Sequence, residues 1–289
     1  MSVHCKYLLI AAAMLVLGGC TVEDMFETGG RVPILLTAQV EASAPTRAGT
    51  SVQNTQFASG ETFNVYFPSG ASLTSTTFQT SDGSGTTECT GATPFMQAGV
   101  NSCIVHAYYP SSVNQSSASF SVAQDQSTDA NYKDSDLMYA TATITKDGAV
   151  ATGSLTFSHK LSKIQVNAIP GDGVASIQAI RIVGGYRTIN ITAPVTSTLG
   201  TTLSNAITDA NITMWSGLSS ATVICAALIP PQTINGDFLQ IVTNLGEATY
   251  TMASKTFAQG TSYQFNITVN AADIGARTGY SAGGNENWE

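Results

Sequence analysis

Apolar and polar positions alternate in short runs along most of this chain, with turn residues between them. Residues 63–67 set Phe63, Val65 and Phe67 against Asn64 and Tyr66. Period-two alternation puts one set on each face of an extended strand. Residues 32–40, Val-Pro-Ile-Leu-Leu-Thr-Ala-Gln-Val, are dense in apolar and β-branched side chains and predict an earlier strand, with Pro33 suited to an edge or a first position. Further strands are predicted over 72–78, 103–109, 118–122 and 137–145, the last running into the turn Lys146-Asp147-Gly148. A second series begins near Ser154. Residues 155–169 carry Leu161, Ile164, Val166 and Ala168, and Pro170-Gly171-Asp172-Gly173 forms a turn. Residues 177–183 alternate with apolar residues in both sets, so this strand is expected to be covered on both faces. Strands over 188–192, 210–215, 222–228, 238–243, 248–252 and 263–269 follow, with Asn244-Leu245-Gly246-Glu247 as a hairpin and Pro230-Pro231 as a stop. No amphipathic helix of three turns is predicted.

Many short strands separated by Gly, Pro, Asn and Ser turns indicate an all-β protein built of β-sandwiches. The strand count exceeds one seven-stranded sandwich. Two in series are expected, 31–153 and 154–275, followed by a Gly-rich tail over 276–289.

The first twenty residues have a different pattern. Lys6 precedes an apolar run from Tyr7 to Leu17, and Leu17-Gly18-Gly19-Cys20 follows. A basic start, a short apolar core and small residues are the marks of a secretory signal. The run is too short for a spanning helix, which needs about 20 apolar residues. The segment resembles a bacterial lipoprotein signal, with residues 1–19 removed and Cys20 carrying lipid. An ordinary secretory signal with a chance cysteine is the other reading. Residues 20–30 form an acidic tether, and Glu23-Asp24 reads either as a surface-export signal or as a solvated linker.

Composition narrows the function. Lys6 is the one charged residue before Cys20, so its removal takes the formal net charge from −8 to −9. An acidic chain lacks the basic face that nucleic acid or anionic lipid requires. Charged residues make up 10% of the chain, against roughly 25% in ordinary soluble proteins. That surface suits an exported β-protein that packs against other proteins. Cys89 and Cys103 flank one stretch and are a candidate disulfide in an oxidising compartment. Cys225, within an apolar run, is expected to be a buried thiol.

Candidate chemistry is sparse. After the signal only His106 and His159 remain, neither near a Cys or His at metal-ligand spacing, and both read as packing or hydrogen-bonding residues. No nucleophile-elbow, P-loop or zincin motif is present. Asp125, Asp129, Asp134 and Asp136 share one polar stretch that lacks the spacing of a calcium loop and reads as solvated. No catalytic residue, metal site or cofactor is assigned.

Four motifs occur in order along the chain: Asp136-Leu137-Met138-Tyr139-Ala140, then Phe157-Ser158-His159-Lys160-Leu161-Ser162-Lys163-Ile164, then Ala227-Leu228-Ile229-Pro230-Pro231-Gln232, then Phe257 to Ile267. With the lipid signal, they resemble the fimbrillin family, the type V pilins and associated proteins of Bacteroidales. The resemblance implies two transthyretin-like sandwiches and a lipoprotein precursor carried to the outer membrane surface. It implies a trypsin-like maturation protease that cuts after Arg47, releasing the first strand with Val32, Ile34, Leu36 and Val40. It also implies other fimbrial subunits as partners, one of which donates a replacement strand. The tail 277–289 departs from the family pattern, because it lacks alternating apolar residues and suits a donor strand poorly. The alternating Tyr263, Phe265, Ile267 and Val269 suit that role better, unless they belong to the second sandwich. A surface lipoprotein that binds glycans or host proteins without polymerising is the alternative.

Overall fold

The computed structural model describes residues 30–41, 56–84, 86–191, 203–206, 211–279 and 285–287. The chain is all-β. Its first half runs through β1 (Val32–Val40), β2 (Thr62–Tyr66), β3 (Ser75–Thr80), β4 (Thr87–Gly91), β5 (Phe95–Met96), β6 (Ser102–Tyr109) and β7 (Ser119–Ser121). A six-residue helix, α1 (Asp129–Asp134), then leads to β8 (Met138–Asp147) and β9 (Val150–His159). The second half runs through β10 (Ser162–Pro170), β11 (Ile177–Ile182), β12 (Tyr186–Asn190), β13 (Leu203–Ala206), β14 (Ile212–Ser219), β15 (Val223–Ile229) and β16 (Gln232–Thr243). It ends with β17 (Gly246–Phe257), β18 (Thr261–Val269), β19 (Arg277–Gly279) and β20 (Asn285–Asn287).

The first large sheet has the order β4-β3-β2-β6-β8-β9-β1-β5, and β1 also pairs with β4. Thus β1 closes the sheet on itself. The core inside holds the alternating Phe63, Val65 and Phe67, as their spacing predicts, with Phe57, Phe157 and Val105. The Lys146-Asp147-Gly148 turn links β8 to β9, with Gly148 at φ +59°.

The second half is a sandwich of a four-stranded sheet, β15-β10-β18-β20, and a five-stranded sheet, β14-β11-β16-β17-β19. Its core contains Ile164, Val166, Ile180, Phe238, Phe257 and Phe265. A third, small sheet, β13-β12-β7, ties the first half to the second. The pairing pattern recurs between the halves: β1 lies parallel to β9, and β10 lies parallel to β18.

Three details differ from the sequence reading. The stretch 155–169 is two strands, because the backbone turns at Lys160 and Leu161: Lys160 N–H donates to the Leu137 carbonyl, and Gly260 N–H to that of Leu161. Position 153, where the strand count divides the chain, lies inside β9, which pairs with β8 and β1. In β11, register shifts between Ile177 and Ala179 and between Ile180 and Arg181 change the phase of the alternation. The bulges bury Ile177, Ala179, Ile180 and Ile182 together, while Gln178 is exposed and Arg181 half-buried.

Candidate functional site

The element of most interest is β1. Its alternation sends Val32, Ile34, Leu36, Ala38 and Val40 inward, each no more than 6% exposed. Pro33, Thr37 and Gln39 are half-buried and Leu35 is exposed. One edge lies parallel to β9 over seven residue pairs, from Ile34 opposite Ala151 to Val40 opposite Phe157. The other edge is shared. Val32 and Pro33 face β5, and Thr37 and Ala38 face β4. Pro33 has no N–H to give, but Ile34 N–H donates to the Pro94 carbonyl at 2.8 Å, and beyond the strand Glu41 N–H donates to that of Phe157 at 2.8 Å.

Leu36 sits opposite Gly153. A Cβ on Gly153 would stand 3.4 Å from Leu36 Cδ2 and 3.0 Å from Ile144 Cγ1, so the absent side chain makes the notch that accepts Leu36. On the outer face, Gln39 Nε2 donates to Thr156 Oγ1 at 3.0 Å, and Thr86 Oγ1 donates to Gln39 Oε1 at 3.0 Å. Burying each of the four large inward side chains stabilises the fold by roughly 1.5–3 kcal/mol. Their sum is comparable to the whole net stability of a domain, roughly 5–15 kcal/mol. The first half therefore requires either β1 or a strand like it.

Cys20, Arg47 and the signal lie outside the described residues. The candidate disulfide is corrected by the structure: Cys89 and Cys103 are free thiols. They sit on β4 and β6, which are not neighbours: β3 and β2 lie between them in the sheet order. Burial pushes the Cys89 thiol up to about 12, helped by the neighbouring Glu88 charge, and raises Cys103 as well. Cys225 is buried at 4% exposure, and desolvation raises its pKa strongly.

The two histidines occupy different settings. His106 is half-buried between the rings of Tyr66 and Tyr139, with Nδ1 2.6 Å from the Tyr139 hydroxyl, and its burial lowers its pKa. His159 is buried, and its Nδ1 lies 2.9 Å from Asp136 Oδ1. Lys163 is 2% exposed nearby. Desolvation lowers its pKa to about 8, with the Asp136 charge opposing. This buried polar junction joins β9, β10 and the segment before β8. Sequence reading missed it as a contact, although Asp136, His159 and Lys163 all lie in the quoted motifs.

The remaining acids are dispersed. Asp125 Oδ1 accepts from Ser127 N–H and Oγ, and Asp129 stands in the first turn of α1 behind its N-cap Thr128. Among the described residues no group of three His, Cys, Asp or Glu side chains could hold a metal ion. One polar cleft of about 270 Å³ opens between Glu61, Thr62, Ser111, Lys133 and Asp134, where Lys133 Nζ meets Glu61 Oε1 at 2.9 Å. The tail adds short strands to sheet edges in its own chain: β19 parallel to β17, and β20 antiparallel to β18. β18 itself is an interior strand between β10 and β20, so Tyr263, Phe265, Ile267 and Val269 belong to the second sandwich.

The fimbrillin-like family model matches residues 46–282, most of the chain. The chain belongs to the fimbrillin-like family. This fimbrillin-like chain is similar in fold to a proposed cell adhesion protein from Bacteroides ovatus, with a TM-score of 0.65 and 16% identity over 89% of this chain and 98% of that one. A counterpart from Bacteroides uniformis has a TM-score of 0.65 and 17% identity over 91% and 99%. One from Bacteroides fragilis has a TM-score of 0.54 and 14% identity over 89% and 97%. No curated protein matches the sequence.

Proposed function

We propose that this chain is a structural or accessory subunit of a surface fimbrium, exported as a lipoprotein and assembled by exchange of its first strand. The observation that carries the reading is the position of β1. It is paired on both edges and supplies a full row of core side chains, and the segment that contains Arg47 connects it to β2. One cut after Arg47 separates Val32–Val40 from everything that follows. The equivalent strand of the second half, β10, continues into the chain at both ends, so no single cut frees it. In this reading the chain is two transthyretin-like units in series, meeting at Lys160-Leu161.

Loss of β1 uncovers the backbone groups of β9 and an apolar groove with a notch at Gly153. Both are unfavourable in water until another strand pairs there. A strand from a second subunit restores the ladder and the core. Cys20 lipidation would hold the precursor at the outer membrane until a trypsin-like protease cuts. Adhesion would follow from the assembled fimbrium.

Trypsin treatment of the purified precursor tests this. A single cut after Arg47 followed by SDS-resistant ladders is expected, and Arg47→Ala is expected to give neither. Fibres formed by uncut Arg47→Ala, or a cut chain that stays monomeric, would sink strand release. A glycan array on the uncut chain tests the non-polymerising alternative. No retention is expected of a chain that acts by assembly, and specific retention would favour the alternative.

A further inference from the structure

Asn235-Gly236 is the one Asn-Gly pair in the chain. That pair ordinarily makes the turn of a hairpin. Here it lies inside β16, between β11 and β17 in the five-stranded sheet. The ladder to β17 breaks around it, with register shifts between Ile234 and Gly236 and between Asp237 and Leu239. Ile234 faces Lys255 and Gly236 faces Met252, so Asn235 alone stands against Ala253 and Ser254. This bulge is open to water, because Asn235, Ala253 and Ser254 are all exposed.

The pair is set up to react with itself. Gly236 has φ +102°, and a Cβ there would meet no heavy atom within 4 Å, so no side chain screens its backbone nitrogen and the backbone has room to move. Asn235 Oδ1 accepts from Ser254 N–H at 3.3 Å. That N–H polarises the side-chain carbonyl and stands where negative charge develops when a nucleophile adds to Cγ. The nucleophile is the next backbone nitrogen in the same chain, so the reaction is intramolecular and closes a five-membered ring. Hydroxide takes the Gly236 N–H proton and the nitrogen bonds to Cγ. The Cγ–Nδ2 bond then breaks, and the amide nitrogen takes up a proton and leaves as ammonia. Water opens the cyclic imide at either carbonyl. One opening gives aspartate at 235. The other gives isoaspartate, in which the backbone runs through Cγ and is one methylene longer.

Asp237 lies two residues on and holds the tail. Arg277 Nε donates to Asp237 Oδ1 at 2.9 Å, and Nη2 donates to Oδ2 at 3.0 Å. Arg277 opens β19, which pairs with Thr249, Tyr250 and Thr251 of β17. A two-bonded fork of this kind depends on where the carboxylate stands. We propose that Asn235-Gly236 is a self-modifying site, and that its conversion to isoaspartate displaces Asp237 and loosens β19 from the edge of β17. The age of the folded chain would then set how firmly its tail is held. The inference does not rest on strand release, since β1 belongs to the other half.

Incubation of the folded Arg47→Ala precursor at mildly alkaline pH tests this. Isoaspartate is read by peptide mapping and by labelling with an isoaspartate methyltransferase. It should form at 235 at least about tenfold faster than at Asn101, which is also exposed but precedes Ser102. Asn235→Gln would have to close a larger and slower ring, so it should show almost no conversion there while keeping the Tm of its parent. Brief trypsin treatment should release residues 278–289 faster from the aged chain than from the fresh one, and at one rate from fresh and aged Asn235→Gln. Isoaspartate that forms at 235 no faster than at Asn101 would overturn the site. An aged chain that carries isoaspartate at 235 and yields its tail no faster than the fresh chain would overturn the link to β19.

Discussion

Gly153 and Leu36 show how one missing side chain shapes the groove. A valine at 153 would place atoms 3.0 Å from Ile144 and 3.4 Å from Leu36 before its methyl groups are counted. Gly153→Val is expected to destabilise the fold by about 1–3 kcal/mol through overpacking, measured by urea unfolding. At the junction, Lys163 has a folded pKa of about 8, below the 10.5 of the unfolded chain, because burial disfavours its charge. Between these values the unfolded state binds more protons, so stability rises with pH. Relative to Lys163→Met, the wild type should gain up to about 1.4 kcal/mol per pH unit from pH 8 toward pH 10. A difference that is flat or falls with pH would show that Lys163 is not desolvated. His159→Ala leaves Asp136 buried without its imidazole partner, and a loss of about 2–4 kcal/mol is expected in the same unfolding measurement.

At the scale of the element, β1 behaves as a ligand that happens to be covalently attached. Its alternation matches the groove, and its partners β9, β4 and β5 are present without it in the chain that follows residue 50. A synthetic peptide of residues 32–40 should therefore bind the cut chain and raise its Tm with peptide concentration, by mass action. The same peptide with Leu36→Asp should leave Tm unchanged, because it places a carboxylate in the notch at Gly153. A Tm that responds equally to both peptides would mean that backbone pairing alone fills the groove. The alternation of Phe63, Val65 and Phe67 and the hairpin at Asp147-Gly148 were legible because each is a local rule. The phase change in β11 was not, because its bulges are set by pairing with β14 and β16.

Across the whole molecule, the two halves are not independent. Phe120, Val122, Tyr132 and Leu137 come from the first half yet lie in the core of the second. Gln126 donates through Nε2 to the Leu228 carbonyl at 2.9 Å, and its Oε1 accepts from Leu228 N–H at 2.8 Å. Thermal unfolding should therefore show one cooperative transition, with coincident near-UV and far-UV melts; two separated transitions would contradict this coupling. The family motifs place Asp136, His159 and Lys163 in order along the chain, but nothing in their spacing says that they meet.

From its sequence alone, this protein was determined to be all-β, to carry a strand over 32–40 and to bear the motifs of its family. Those properties follow from side-chain periodicity and local turn chemistry, which act over a few residues. The tertiary structure decided that β1 runs parallel to β9 and closes the sheet, that Cys89 and Cys103 lie apart, and that the junction is built on a buried Asp136–His159 pair. Each of these depends on which strands become neighbours, and that is settled by long-range burial rather than by any local pattern.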